Sequence, residues 1–149
     1  MKAKRCITAI LLAAALCAVL AWALLGDPRM LWREKALQRA LRALPESQTQ
    51  VTLNDVVPFA WDAVYTFDPY TDRATMEAEM GVTSRAIEET VSEGMVQLLF
   101  VKNGKLVASV CGYPQNLGYS VEFSRCVRAE EHVVFAVHHT DGLVRLVQE

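Results

Sequence analysis

Residues 95–112 read MVQLLFVKNGKLVASVCG, two apolar runs joined by Asn103-Gly104. A two-residue hairpin turn needs positive φ at both central positions, which Asn-Gly tolerates well. The turn sets a register, with Val101 opposite Leu106 and Leu99 opposite Ala108. Residues 132–149, HVVFAVHHTDGLVRLVQE, repeat the device at Asp141-Gly142 and pair Val137 with Leu146 and His139 with Val144. Between the two hairpins SVEFSRCV (120–127) alternates apolar and polar residues and reads as one further strand.

Upstream, VTLNDVVPFAWDAVYTF (51–67) is rich in strand formers, and Phe59, Trp61, Ala63, Tyr65 and Phe67 fall on one face of an extended chain. Asp68-Pro69-Tyr70 interrupts the strand, Thr71 is the expected cap of a short helix bearing Met76 and Met80, and Gly81 ends it. Residues 83–91 fit either a helix capped by Ser84 and carrying Ile87 and Val91, or a strand. The fold class is α+β: a small, mainly antiparallel sheet of about five strands with one or two packed helices over residues 51–149.

Working outward to the N-terminus, Asp27-Pro28 starts a helix over 27–45, with an acidic cap and proline in the first turn. Met30, Leu37, Leu41 and Leu44 share one face, opposite Lys35, Arg39 and Arg42. Such a helix is a stalk, packs its apolar stripe on the domain, or lies on anionic headgroups beside a membrane. ESQTQ (46–50) reads as a short polar linker.

Residues 6–25, CITAILLAAALCAVLAWALL, hold one polar interruption at Thr8. As a helix this run is about 30 Å long, the thickness of a hydrocarbon core. Lys2, Lys4 and Arg5 form the basic tail (1–5) that stays cytoplasmic. The run length favours a retained signal anchor, single-pass in the cell membrane, over a signal peptide cleaved after Ala21-Trp22-Ala23 to leave Leu24 first. Leu16 stands where lipidation of Cys17 needs a small residue. Arg29, Arg33, Lys35, Arg39 and Arg42 lie just past the run and weaken the charge bias, yet long downstream domains translocate largely regardless of it. The domain is therefore expected to face the periplasm or cell exterior.

Composition narrows the partners. The chain is 52% apolar, which excludes a disordered polypeptide. Residues 27–149 carry 17 acidic and 12 Lys or Arg side chains, a balance of −5 that disfavours nucleic acid. Of the four cysteines, Cys6 and Cys17 sit in the apolar run. Cys111 and Cys126 are the two left to the domain; an oxidising compartment favours a disulfide between them, whereas a cytoplasmic domain would leave two buried free thiols.

The run from Phe59 to Thr71, FAWDAVYTFDPYT, followed by a short helix to Gly81 and by Phe100-Val-Lys-Asn-Gly-Lys105, resembles a group of uncharacterised small bacterial secreted or lipoprotein domains with the pattern F-x-W-D-x-V-Y-x-F-x-P-Y-T. The resemblance covers residues 51 to about 115 and implies location and fold, with no activity attached. The absent lipobox is a departure from the lipoprotein members.

Candidate chemistry is sparse. His132, His138 and His139 with Glu130 and Glu131 look like metal ligands on paper, but His138 and His139 point to opposite faces of a strand. Asp62, Asp68 and Asp72 lack the dense ligand spacing of a calcium loop. No serine lies in a nucleophile elbow and no glycine-rich phosphate loop is present. An enzyme would have to gather groups such as Asp62, Tyr70, Arg125 and His138 in one pocket. The reading is of a non-catalytic envelope module without cofactor or metal, contacting another envelope protein or a cell-wall component. The aromatic row of Phe59, Trp61, Tyr65 and Phe67 reads first as core; only an exposed Trp61 would make a binding surface of Trp61, Asp62, Tyr70 and Tyr113.

Overall fold

The computed structural model describes residues 27–149, together with Ala13, Ala14 and Leu16, which are helical. The rest of the apolar run 6–25 lies outside the described residues. No helix among the described residues is long and apolar enough to cross a membrane.

The α+β class stands, but the strands divide between two sheets. Helix α1 spans Pro28–Arg42; β1 (Gln50–Thr52), a single turn of helix α2 (Leu53–Val56) and β2 (Ala63–Tyr65) follow. Next come α3 (Arg73–Met80), β3 (Val96–Lys102), β4 (Lys105–Gly112), the short α4 (Pro114–Leu117) and β5 (Tyr119–Glu122). The chain ends with β6 (Cys126–Arg128), a 3-10 turn (Ala129–Glu131), β7 (Val134–Thr140) and β8 (Leu143–Gln148). The first sheet has the order β1-β7-β8-β5 and the second β4-β3-β2-β6. All pairings are antiparallel except that of β5 with β8.

Both hairpins form where the turn chemistry places them. Asn103 and Gly104 have φ of 50° and 69°, and Asp141 and Gly142 of 51° and 76°. At the second hairpin Val137 faces Leu146 and His139 faces Val144, as the turn dictates. At the first, Val101 faces Leu106, but a bulge between Phe100 and Val101 slides the pairing, so that Ala108 meets Phe100 and Leu99 meets Ser109.

Three other expectations are corrected. The strand expected over 120–127 breaks at Phe123–Arg125, and its halves join different sheets as β5 and β6. The strand expected from Phe59 to Phe67 shortens to β2, and the strand formers before it give only β1, because Thr52 and Asp55 close a helical turn: Asp55 Oδ2 accepts from the Thr52 hydroxyl at 2.6 Å and its N–H at 3.2 Å. Residues 83–91 form neither helix nor strand. The short helix α3 is present, though Asp72 rather than Thr71 caps it, accepting from Thr75 N at 2.9 Å.

The main core joins residues of both sheets, including Phe100, Tyr119, Phe135 and Leu146. Helix α1 belongs to it. Leu37 and Leu41 are fully buried in that core, Gln38 Nε2 donates to Leu117 O at 2.8 Å and Arg33 Nη1 to Val107 O at 2.9 Å. A second cluster gathers Met76, Met80, Ile87 and Phe67 around Leu99 and Val101. Strand β3 thus meets apolar partners on both faces, which explains why Leu98, Leu99, Phe100 and Val101 are consecutive apolar residues, all buried.

Gly118 ends α4 in the left-handed region at φ 81°, and a Cβ there would lie 2.8 Å from Arg42 Cδ. Gly118→Ala is expected to lower stability by about 1–2 kcal/mol through the backbone alone. Adding Arg42→Ala should relieve the crowding and leave that backbone cost, as urea titration of the single and double variants would show.

Candidate functional site

An open cleft of about 780 Å³ lies at one end of the second sheet. Four of its lining segments are Thr66–Pro69 after β2, Gly94–Gln97 at the start of β3, Pro114–Gln115 after β4 and Phe123–Arg125 before β6. Neighbouring strands of the second sheet are antiparallel, so these four segments all mark one end of it. Facing them are Ser120–Glu122 of β5, with Leu143 and Arg145 of β8. The cleft is a groove running along β5 past the ends of four strands. Three strand spacings of about 4.8 Å give a length of roughly 14 Å, enough for about four extended residues.

Strand β5 is the edge of the first sheet, and its outer backbone edge has no backbone partner among the described residues. An edge of this kind can pair with another extended chain. The charges around it differ in how firmly they are held. Arg145 is clamped by Glu122 in a bidentate pair at 2.6 and 2.7 Å. Arg125 makes only long ion pairs, 3.8 Å to Asp68 and 3.5 Å to Glu79, and its guanidinium lies 5.4 Å from the Phe67 ring centre. Its backbone adopts φ 46°, a left-handed conformation unusual for arginine, where the chain turns from one sheet into the other. Gln97, 2% exposed, donates to Glu88 O at 2.7 Å, while its Oε1 meets no partner among the described residues.

The aromatic surface expected from Trp61, Asp62, Tyr70 and Tyr113 does not assemble. Trp61 is 7% exposed and packs edge-on against Phe100 at 5.8 Å, so it is core. Phe67 joins the second cluster, so the aromatic row does not share one face. Asp62 sits at the opposite end of β3 from Tyr113: its Oδ2 accepts from Asn103 N at 2.7 Å and its Oδ1 from Lys102 Nζ at 2.5 Å. The Asn103 N–H, and then Lys102, hold its carboxyl below the usual value. Tyr70 and Tyr113 are exposed, and each is adjacent in sequence to a segment lining the groove. Sequence reasoning missed the groove itself and the roles of Ser120, Glu122 and Arg145.

The expected disulfide is also corrected, for Cys111 and Cys126 are free thiols. Cys111 on β4 pairs with Gln97 of β3, whereas Cys126 on β6 pairs with Tyr65 of β2. Three strand spacings separate them by roughly 14 Å, about twice the Cα separation of about 7 Å that a disulfide spans. Burial pushes both thiols up, so neither is an activated nucleophile. In the purified protein both should react fully with alkylating agent once unfolded without reductant, and intact mass checks this.

The acidic and histidine candidates disperse. Asp72 caps α3 and Asp68 faces Arg125. His132 Nδ1 lies 3.0 Å from Asn54 Nδ2, while adjacent His138 and His139 pair with Arg145 and Val144. Among the described residues no three His, Cys, Asp or Glu side chains converge as metal ligands.

Compared with protein-family models, curated proteins and solved structures, the chain matches none. The groove is therefore read on its chemistry alone: an unpaired strand edge, one firmly neutralised arginine and one loosely held.

Proposed function

We propose that the domain is a non-catalytic interaction module, anchored by residues 6–25 and facing away from the cytoplasm, which receives an extended segment of another envelope protein along β5. The observation that carries this reading is that β5 is an edge strand, three of whose residues, Ser120, Val121 and Glu122, line the groove. Main-chain hydrogen bonds to a strand edge supply affinity for an extended peptide, and side-chain contacts supply selectivity. Arg125, just before β6 and with long ion pairs only, suits an acidic side chain on the incoming segment. The outward orientation rests on the basic tail, the apolar run and the length of the domain that follows. It draws no support from Cys111 and Cys126. The resemblance to secreted and lipoprotein domains agrees with this placement.

Orientation and partner are tested together in cells. Glu46→Cys, at an exposed position of the full-length chain, should react with a membrane-impermeant maleimide added outside the inner membrane. A photo-crosslinking residue at Ser120 should capture one extended stretch of an envelope protein, while the same residue at Lys105, at the far hairpin, should not. Equal capture at both positions would reject the groove as the site. A soluble chain beginning at Leu24 would replace the anchor with secretion.

A further inference from the structure

Helix α1 buries one side in the domain and leaves the other open. Leu31 and Trp32 are 55% and 59% exposed in its first turns, beside exposed Arg29. Trp32, Lys35, Arg39 and Arg42 recur at helical spacing, and all four are exposed. Lys35, Arg39 and Arg42 make no ion pair among the described residues. Residues 28–42 contain five basic side chains against Glu34 alone, although residues 27–149 as a whole are acidic. The molecule is thus polarised, with one cationic helix on an acidic body.

The chain preceding α1 identifies what this side meets. The apolar run ends at Leu25, and Pro28 is three residues further on. Fully extended, three residues reach only about 10 Å. A domain anchored by residues 6–25 therefore carries the first turn of α1 into the headgroup layer, where tryptophan and arginine are favoured.

We propose that the outer side of α1 lies on anionic phospholipid headgroups, with Leu31 and Trp32 seated at the acyl boundary and Lys35, Arg39 and Arg42 on the phosphates. This rests on the anchor reading above. Because Arg33, Leu37, Gln38 and Leu41 fasten the helix to the body, lipid contact along α1 fixes the orientation of the whole domain. The acidic body is repelled by the same lipid charge and turns away from the surface.

The three tryptophans allow a test on the full-length chain. The protein is reconstituted into phosphatidylglycerol–phosphatidylethanolamine vesicles carrying phospholipid brominated either near the glycerol or deep in the chain. The Trp32 and Trp22 signals are obtained by difference against Trp32→Phe and Trp22→Phe. Trp22 should be quenched by the deep label and Trp32 by the shallow one. Quenching of Trp32 should fall at least about twofold in zwitterionic vesicles, and likewise in Lys35→Glu/Arg39→Glu, whose substitutions lie on the exposed side. Deep quenching of Trp22 with Trp32 unquenched would overturn the lipid contact and leave the anchor intact. Quenching of neither would overturn both. Quenching of Trp32 that ignores lipid charge and the double variant would overturn the role of the cationic row.

Discussion

Phe100→Ala is expected to lower the unfolding free energy by about 3–5 kcal/mol, the range for removing a large aromatic side chain from a packed core. Phe100 is 1% exposed and stands edge-on to two rings, Phe59 at 5.3 Å and Trp61 at 5.8 Å. Both rings reach it from the irregular stretch before β2, so the truncation removes the post that holds that stretch. A domain of this size has about 5–15 kcal/mol of stability in total, and the variant should sit close to its threshold. Urea titration followed by near-ultraviolet circular dichroism gives the loss and reports the Trp61 environment. Phe100→Leu, which retains most of the volume, should recover more than half of it. A loss below about 1 kcal/mol for alanine would mean that the cavity collapses at little cost.

Tyr119→Phe is expected to act in the opposite direction. Tyr119 is fully buried, and its hydroxyl meets no partner among the described residues. Leaving a buried hydroxyl unpaired costs about 1–3 kcal/mol, so phenylalanine should stabilise the domain by part of that amount at neutral pH. The pH dependence gives an independent check. Burial, and then the neighbouring Glu34 charge, push the phenol well above its ordinary 10.0. Above pH 10 the unfolded chain releases this proton while the folded protein keeps it. The contribution of Tyr119 is thus complete below pH 10 and is lost as pH rises toward the folded value, at about 1.4 kcal/mol per pH unit. Tyr119→Phe should flatten that alkaline decline. Some slope will remain, because Tyr65, Cys111 and Cys126 are shifted in the same direction by burial. An unchanged alkaline slope would show that the hydroxyl is solvated.

What the sequence disclosed follows the range of the interactions involved. The turns at Asn103-Gly104 and Asp141-Gly142 depend on the backbone preference of two adjacent residues, and both hairpins were legible. So were the start of α1 at Asp27-Pro28 and the end of α3 at Gly81. The bulge at Phe100/Val101 had no local signal and moved the register by one residue. The break at Phe123–Arg125 was hidden because arginine is a poor marker of positive φ, and because β5 pairs in parallel with β8, twenty-five residues further along. Missing that break merged two sheets into one and made the Cys111–Cys126 bridge look reachable. The groove was illegible for the same reason: it exists only once the ends of four strands from separate stretches are brought beside an edge strand. Alternation exposed the apolar character of Phe59, Trp61 and Phe67 but could not reveal that they serve two different cores.

The pairing of β1 with β7 bears on the order in which the domain can form. Gln50 lies against Ala136, and its side-chain amide reaches the carboxylate of Glu149 at 2.9 Å. The first strand of the domain is therefore completed only by β7, which is itself paired with β8. Each hairpin can close as soon as it emerges, but the first sheet must wait for nearly the entire chain, a requirement that slows folding. A polypeptide threaded through a translocation channel would cross as an open chain with only local hairpins formed, and loss of residues 134–149 would leave β1 and β5 without their partners. On the export route proposed above, the domain closes only after it has crossed.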